Sequence, residues 1–273
     1  MFRFPLAQDF ELYAVPALKD NYCYLLFEKN SSQTLAIDPS EAKPVFEALK
    51  TLNRNLTHIV NTHHHWDHTG GNEALKKHFK CIVLGPEQEA QKIPALDKTL
   101  SEKAPFVFNR FHFDVLEVPG HTIGHIALFE KNQHLLFSGD VLFCYGCGRV
   151  FEGTHETMNH SLNKLKSLPQ DTKIFCGHEY ALQNVEFALQ LEPKNILLQK
   201  HFHKIKELRE KGQPSVPTSL KVELSTNPFL KFYEDDFKKG LGLSSGATAL
   251  EVFTKIRLLK DVFKSGVTLP TKF

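Results

Sequence analysis

At 273 residues, 41% of them hydrophobic, the chain is long enough for one large globular domain or for one with a smaller appendage. Its 33 basic and 31 acidic residues leave a formal charge of +2, so no global field recruits nucleic acid or a membrane surface. Met1–Asp9 lacks the apolar core of a secretory signal and no apolar run approaches a membrane span; the five cysteines, odd in number and scattered, point to a reducing cytoplasm rather than a disulfide framework.

Short apolar runs alternate with helical patterns up to Tyr180. Glu11–Pro16, Tyr22–Glu28 and Thr34–Ile37 read as consecutive strands, and Asp38-Pro39-Ser40 as the cap of a helix reaching Leu52. Leu56–Asn61 reads as a short buried strand, Thr69-Gly70-Gly71-Asn72 leads into a helix over Ala74–Phe79, and Cys81–Leu84 is a further strand. Phe106–Phe113, Val115–Val118, Ile126–Phe129 and Leu135–Ser138 form a second strand-rich stretch, followed by a helix over Met158–Ser167 and a last clear strand, Lys173–Cys176. Beyond Tyr180 the pattern is helical: Ala181–Leu191, Asn195–Lys211 and Thr248–Lys264. The shift predicts a mixed α/β domain over residues 1–180 and a smaller helical domain over 181–273. No short repeat and no low-complexity segment interrupts either.

The strand ending at Asn61 runs into Thr62-His63-His64-His65-Trp66-Asp67-His68, a T-H-x-H-x-D-H box. Side chains two apart in an extended stretch point to the same side, so His63 and His65 can grip one ion while Asp67 and His68 turn towards a second. His64 points the other way and is not read as a ligand. An isolated H-x-H pair is more often a surface accident; three imidazoles and a carboxylate packed together are costly to bury without a metal or hydrogen bonds. Further ligands should come from other strand ends. Val118-Pro119-Gly120-His121, Ser138-Gly139-Asp140 and Cys176-Gly177-His178 each set a ligand type after an apolar run and a small turn residue.

The box and these three later positions resemble the metallo-β-lactamase superfamily, whose α+β fold is an αββα sandwich of two mixed β-sheets flanked by helices. That resemblance implies that His63, His65 and His121 hold metal 1, that Asp67, His68 and His178 hold metal 2, and that Asp140 bridges both. Two divalent cations roughly 3.5–4 Å apart share a solvent molecule and lower its pKa towards neutrality. An all-N/O shell suits zinc, iron or manganese, with zinc the default.

Within that superfamily, Gly146-Cys147-Gly148-Arg149-Val150-Phe151-Glu152-Gly153-Thr154 is similar to the G-C-G-[KR]-x-[FY]-E-G-T signature of glyoxalase II, the hydroxyacylglutathione hydrolases. Gly177-His178-Glu179-Tyr180, Asn227-Pro228-Phe229 and Arg257-Leu258-Leu259-Lys260-Asp261 resemble that family's other segments, and the match begins at Asp20-Asn21-Tyr22. The resemblance implies hydrolysis of the thioester of S-D-lactoylglutathione to glutathione and D-lactate by a metal-bridging hydroxide oriented by Asp67, the second step of methylglyoxal detoxification. It also implies a C-terminal helical domain that binds glutathione. Arg257 and Lys260, three apart and on one helix face, would clamp the glycyl carboxylate, and Arg149 and Tyr180 would contact the peptide backbone. Phe151 stands where some members have tyrosine, so one hydroxyl contact is absent. Cys144 and Cys147 form a C-x-x-C, but without a second pair or a thioredoxin-like context a redox or zinc-knuckle reading is weak.

Rival readings are a lactonase, another thioesterase and a glutathione persulfide dioxygenase with a single iron; that last one needs no second site. A nuclease would need a broad basic surface, a β-lactamase leaves the tail and Asp140 unexplained, and a degenerate scaffold would have lost ligands. The expected molecule is a monomer acting on a small thioester, with no nucleic-acid or membrane partner.

Overall fold

Strand periodicity builds two sheets whose inner faces share one core. The computed structural model describes residues 1–7, 9–231 and 235–266. In the first sheet β1 (Phe2–Pro5), β2 (Phe10–Ala17), β3 (Asn21–Glu28), β4 (Leu35–Ile37), β5 (His58–Val60), β6 (Ile82–Pro86) and β7 (Lys98–Leu100) lie side by side in chain order. Pairing is antiparallel from β1 to β4 and parallel from β4 to β7. Parallel neighbours need crossovers. Helix α1 (Ala42–Leu52) supplies the first, and α2 (Trp66–Thr69) with α3 (Asn72–Phe79) the second.

The second half contributes β8 (Phe106–Phe108), β9 (Phe111–Glu117), β10 (Ile126–Glu130), β11 (Leu135–Gly139), a small hairpin of β12 (Leu142–Phe143) and β13 (Gly146–Cys147), and then α4 (His155–Lys166) and β14 (Lys173–Cys176). The tail follows as α5 (Ala181–Leu191), α6 (Ile196–Glu210), β15 (Thr218–Ser219), α7 (Leu220–Thr226), α8 (Asp235–Gly240) and α9 (Ala249–Val262). The second sheet has the order β15-β14-β11-β10-β9-β8, with β11 and β14 parallel.

Successive strand residues face opposite ways, and both faces are buried. On β3, Tyr24 and Leu26 enter the inter-sheet core with Leu12, Ile37 and Val60, against Phe111, Phe113, Leu128, Phe137 and Phe175 of the second sheet. Their neighbours Cys23 and Leu25 face outward onto Val45, Leu49 and Leu75 of α1 and α3. The outer face of the second sheet, including Leu136 and Ile174, packs on Met158 and Leu162 of α4 and on Val252, Phe253 and Ile256 of α9. Helix, sheet, sheet and helix therefore form four layers, the αββα sandwich. Each large side chain buried in this way contributes ~1.5–3 kcal/mol.

Local departures from the sequence pattern have simple causes. Phe106–Phe113 is not one strand: the chain reverses at Asn109, whose φ is 51°, and β9 then runs unbroken to Glu117. The strands β1, β7 and β15 are four, three and two residues long, too short for a period to register. Strand β15 pairs with β14, so the tail is not purely helical and extends the second sheet. Val185, Ala188, Leu198 and Ile205 of α5 and α6 also join the inter-sheet core. Among the described residues no helix is long and apolar enough to cross a membrane.

Candidate metal centre

The parallel pairs β4–β5 and β11–β14 point their C-terminal ends the same way, and loops leaving such ends converge. After β5 the chain turns through His63 and His65 into the four-residue α2, which carries Asp67 and His68. Asp140 follows β11, His178 follows β14, and His121 lies on the turn after β9. These seven side chains, separated by up to 115 positions in the chain, meet in one place.

His63, His65 and His121 form one group, with His65 Nδ1 lying 3.1 Å from His63 Nε2 and 3.0 Å from His121 Nε2. Asp67, His68 and His178 form a second: His178 Nε2 is 3.3 Å from His68 Nε2 and 3.3 Å from Asp67 Oδ2. Asp140 stands between them. Its Oδ2 lies 3.4 Å from His121 Nε2 and 3.2 Å from His178 Nε2, and its Oδ1 3.5 Å from His68 Nε2.

A second layer fixes which nitrogen of each ring faces inward. Thr62 Oγ1 donates to Asp38 Oδ2 at 2.7 Å, so the contact with His63 at 3.0 Å makes the His63 Nδ1–H the donor. Asp38 Oδ2 also accepts from His68 Nδ1 at 3.0 Å, Asp20 Oδ1 from His178 Nδ1 at 2.8 Å, and the Arg149 carbonyl from His121 Nδ1 at 2.8 Å. Four Nε2 lone pairs are thereby aimed at the centre. Asn21 Nδ2 donates to Asp67 Oδ2 at 3.1 Å, and the buried His125 stacks on His63 at 4.6 Å while its Nε2 accepts from the Asp140 amide.

Asp38 corrects the sequence pattern. It does not cap α1, whose N-cap is Glu41; with φ 51° it turns beneath the box and accepts from the Thr62 amide at 2.7 Å. The family-like Asp20-Asn21 pair was visible as a motif; Asp38 directly follows the strand ending at Ile37 but lacks the small turn residue of the other three positions, and Glu89 and His125 carried no strand-end signal.

The donor set fits divalent cations. Asp140 is buried, and its Oδ1 has no hydrogen-bond partner. Burial pushes His63 well below its ordinary value, helped by His68 and His125, and keeps a lone pair available. Burial also opposes charge on His68, yet Asp140 and Asp38 raise it to about 10, so the carboxylates call for a compensating cation. At Asp67, hydrogen bonding to His178 and the charge of His68 overcome burial and hold the carboxyl well below its usual range. Gly177 admits this crowding: a Cβ there would meet Asp140 Oδ1 at 2.3 Å and His68 Cε1 at 2.7 Å.

The centre opens into a cavity of about 530 Å³ whose walls include Arg149, Tyr180, Arg257 and Lys260, all four of the expected peptide contacts. Tyr180 stacks on His178 with centroids 4.7 Å apart. Arg257 is only 3% exposed, and its Nη1 already donates to the Cys147 and Gly148 carbonyls at 3.1 and 3.4 Å. Asp261, which the sequence pattern left without a role, pairs with Arg257 at 3.0 Å and with Arg149 at 3.3 Å. Cys147 also lines the cavity; burial pushes its thiol up to about 11, which suits packing rather than redox chemistry.

An αββα sandwich with an imidazole–carboxylate centre at its strand ends defines the class, the metallo-β-lactamase superfamily, and residues 23–178 match that family. The fold and the clustered donors support a divalent metal pair. Residues 179–263 match the family described as hydroxyacylglutathione hydrolase C-terminus. The hydroxyacylglutathione hydrolase of Methylococcus capsulatus is 44% identical over 254 residues, 93% of this chain and 99% of that protein. The enzyme of that name from Rhodospirillum rubrum is 42% identical over 253 residues, covering 93% and 98%. The crystal structure of ETHE1 from Myxococcus xanthus aligns with a TM-score of 0.64 at 23% identity, over 90% of this chain and 89% of that one, a likeness of fold. The chain belongs to the hydroxyacylglutathione hydrolase family.

Proposed function

We propose that this chain hydrolyses the thioester of S-(2-hydroxyacyl)glutathione, with S-D-lactoylglutathione giving glutathione and D-lactate as the second step of methylglyoxal detoxification. One observation carries the reading: a single cavity joins the imidazole–carboxylate centre to Arg149, Lys260 and Tyr180. The family membership and relatives of the same name at 42–44% identity support it.

His63, His65 and His121 would hold one ion, Asp67, His68 and His178 the other, and Asp140 both, with zinc the first choice for an all-N/O shell and iron or manganese compatible with it. When bound, such a pair supplies Lewis acidity towards a carbonyl and a nucleophile at neutral pH. Asp67, held by the Asn21 amide, would orient the nucleophile towards one face of the planar thioester carbonyl. Lys260 and Arg149 would hold the carboxylate end of the peptide, placing the thioester over the centre, while the aromatic face of Tyr180 limits where the cysteinyl–glycine segment lies. A thiol of pKa near ~8.5 leaves without a dedicated acid, and none of the cavity's residues is required in that role. Residues 1–180 would thus supply the chemistry and 181–273 most of the peptide grip, in a cytoplasmic monomer without nucleic-acid or membrane partners.

The test follows thioester absorbance of S-D-lactoylglutathione in the ultraviolet, with metal content measured on the same preparation and a Lys260→Ala variant beside it. Lys260 is preferred to Arg257 because removing the latter also frees the Cys147 and Gly148 carbonyls. Turnover with two ions per chain and a KM raised chiefly in the variant is expected. Two bound ions without turnover would discard the thioesterase reading and direct attention to lactones and other thioesters.

A further inference from the structure

Glu89 is a charged residue with 2% exposure, outside both donor groups, and the reaction outlined above gives it no task. A buried carboxylate without partners would be costly, so its partners are informative. Its Oε2 accepts from the His64 amide at 2.7 Å and from His64 Nδ1 at 2.9 Å. Its Oε1 accepts from Thr122 Oγ1 and from the Gly124 amide at 3.0 Å. One oxygen therefore holds the loop between His63 and His65, and the other holds the turn that carries His121. Gly124 makes the approach possible, since a Cβ there would lie 2.5 Å from Glu89 Cγ.

Glu152 completes the arrangement from the far side. Its Oε2 accepts from the Ile123 amide at 3.0 Å, and its Oε1 lies 3.4 Å from His64 Nε2 and 3.1 Å from Lys92 Nζ. His64, Glu89 and Glu152 are close enough together to raise the question of a third ion. Four donors already saturate Glu89, however, and Lys92 occupies Glu152, so the trio is a hydrogen-bonded brace rather than an ion cage.

We propose that Glu89 is a positioning residue that sets the spacing of the His63, His65 and His121 nitrogens by tying their two loops to one carboxylate. It rests on the reading of those three histidines as ligands of one ion. Residues that orient metal ligands in this way typically affect metal affinity or activity by 10–100-fold. The brace touches only one of the two donor groups, so its loss should fall on one ion.

Zinc titrations of the metal-free full chain against a competing chelator would compare wild type, Glu89→Ala and Thr122→Val, with the melting temperature of each metal-free form. The expected result is two ions in wild type, with one bound ~10–100-fold more weakly in Glu89→Ala and the other unchanged. Thr122→Val removes a single bond to Glu89 and should weaken the same ion by less, which keeps the idea testable if Glu89→Ala fails to fold. Wild-type affinity for both ions in Thr122→Val and Glu89→Ala, with only the melting temperature lowered, would reduce Glu89 to a stabilising residue and overturn the proposal while leaving the ligand reading intact. A wild-type chain that binds no ion would overturn that reading and the brace with it.

Discussion

If Lys260 holds the glycyl carboxylate as proposed, glutathione affinity should fall as pH rises through neutrality. Burial, and next the Arg257 charge, push its ammonium down to about 7, with Cys147 and Glu186 nearby opposing the shift. Its Nζ has one weak bond, to the Gln183 carbonyl at 3.4 Å, and lies 5.2 and 4.9 Å from the Phe187 and Phe263 rings. The protonated form is the one that holds a carboxylate, and the ligand's carboxylates stay ionised throughout the neutral range. With a midpoint of about 7, the charged share falls from ~90% at pH 6 to ~10% at pH 8, a tenfold loss of affinity or ~1.4 kcal/mol. Calorimetry with S-methylglutathione, a thioether with no bond to hydrolyse, should show Kd rising about tenfold across that interval, with proton uptake on binding at pH 8. Lys260→Arg keeps its charge and should flatten the profile. Stability should move the opposite way. The unfolded chain retains the proton between about 7 and 10.5 whereas the folded chain does not, so wild type gains stability relative to Lys260→Met as pH rises through that window. A flat Kd for wild type, or an equal slope in Lys260→Arg, would refute the reasoning.

Three further outcomes are expected. Gly177→Ala should abolish metal binding and turnover, because its Cβ would fall 2.3 Å from Asp140 Oδ1; metal analysis of the folded variant checks this, and two retained ions would contradict it. Phe151→Tyr should lower KM by ~2–10-fold with kcat unchanged, the range set by one added hydrogen bond. An unaltered KM would place that side chain, which is 59% exposed at the cavity mouth, out of contact with the peptide. Chelation should lower the melting temperature, and metal at a hundredfold excess over its Kd should restore ~2.7 kcal/mol per ion; a melting temperature unmoved by chelation would mean that the Asp140 carboxylate is balanced without a cation.

Much of the donor set was legible because its signals are local. Period-two facing within the box pairs His63 with His65, and a small residue before His121, Asp140 or His178 marks a strand end at which a side chain can turn inward. Short continuous apolar runs likewise announced the strands that bury both faces. The signature around Cys147-Gly148-Arg149 and the Arg257-to-Asp261 segment set the family. Tertiary structure alone decided the rest. Asp38, read locally, caps a helix; only the parallel register of β4 and β5 carries it beneath Thr62 and His68. Asp20 and Asn21 reach His178 and Asp67 through a hairpin far away in the chain, and Glu89 joins two loops whose closeness no spacing encodes. Arg257 was expected to clamp the glycyl carboxylate; it lines the cavity, and the docking of α9 also sets its Nη1 against the Cys147 and Gly148 carbonyls, which no spacing announces. The physical reason is common to all four cases. Sequence spacing determines which side chains share a face of one element, while a hydrogen bond between elements depends on sheet register and helix docking, which the whole core determines.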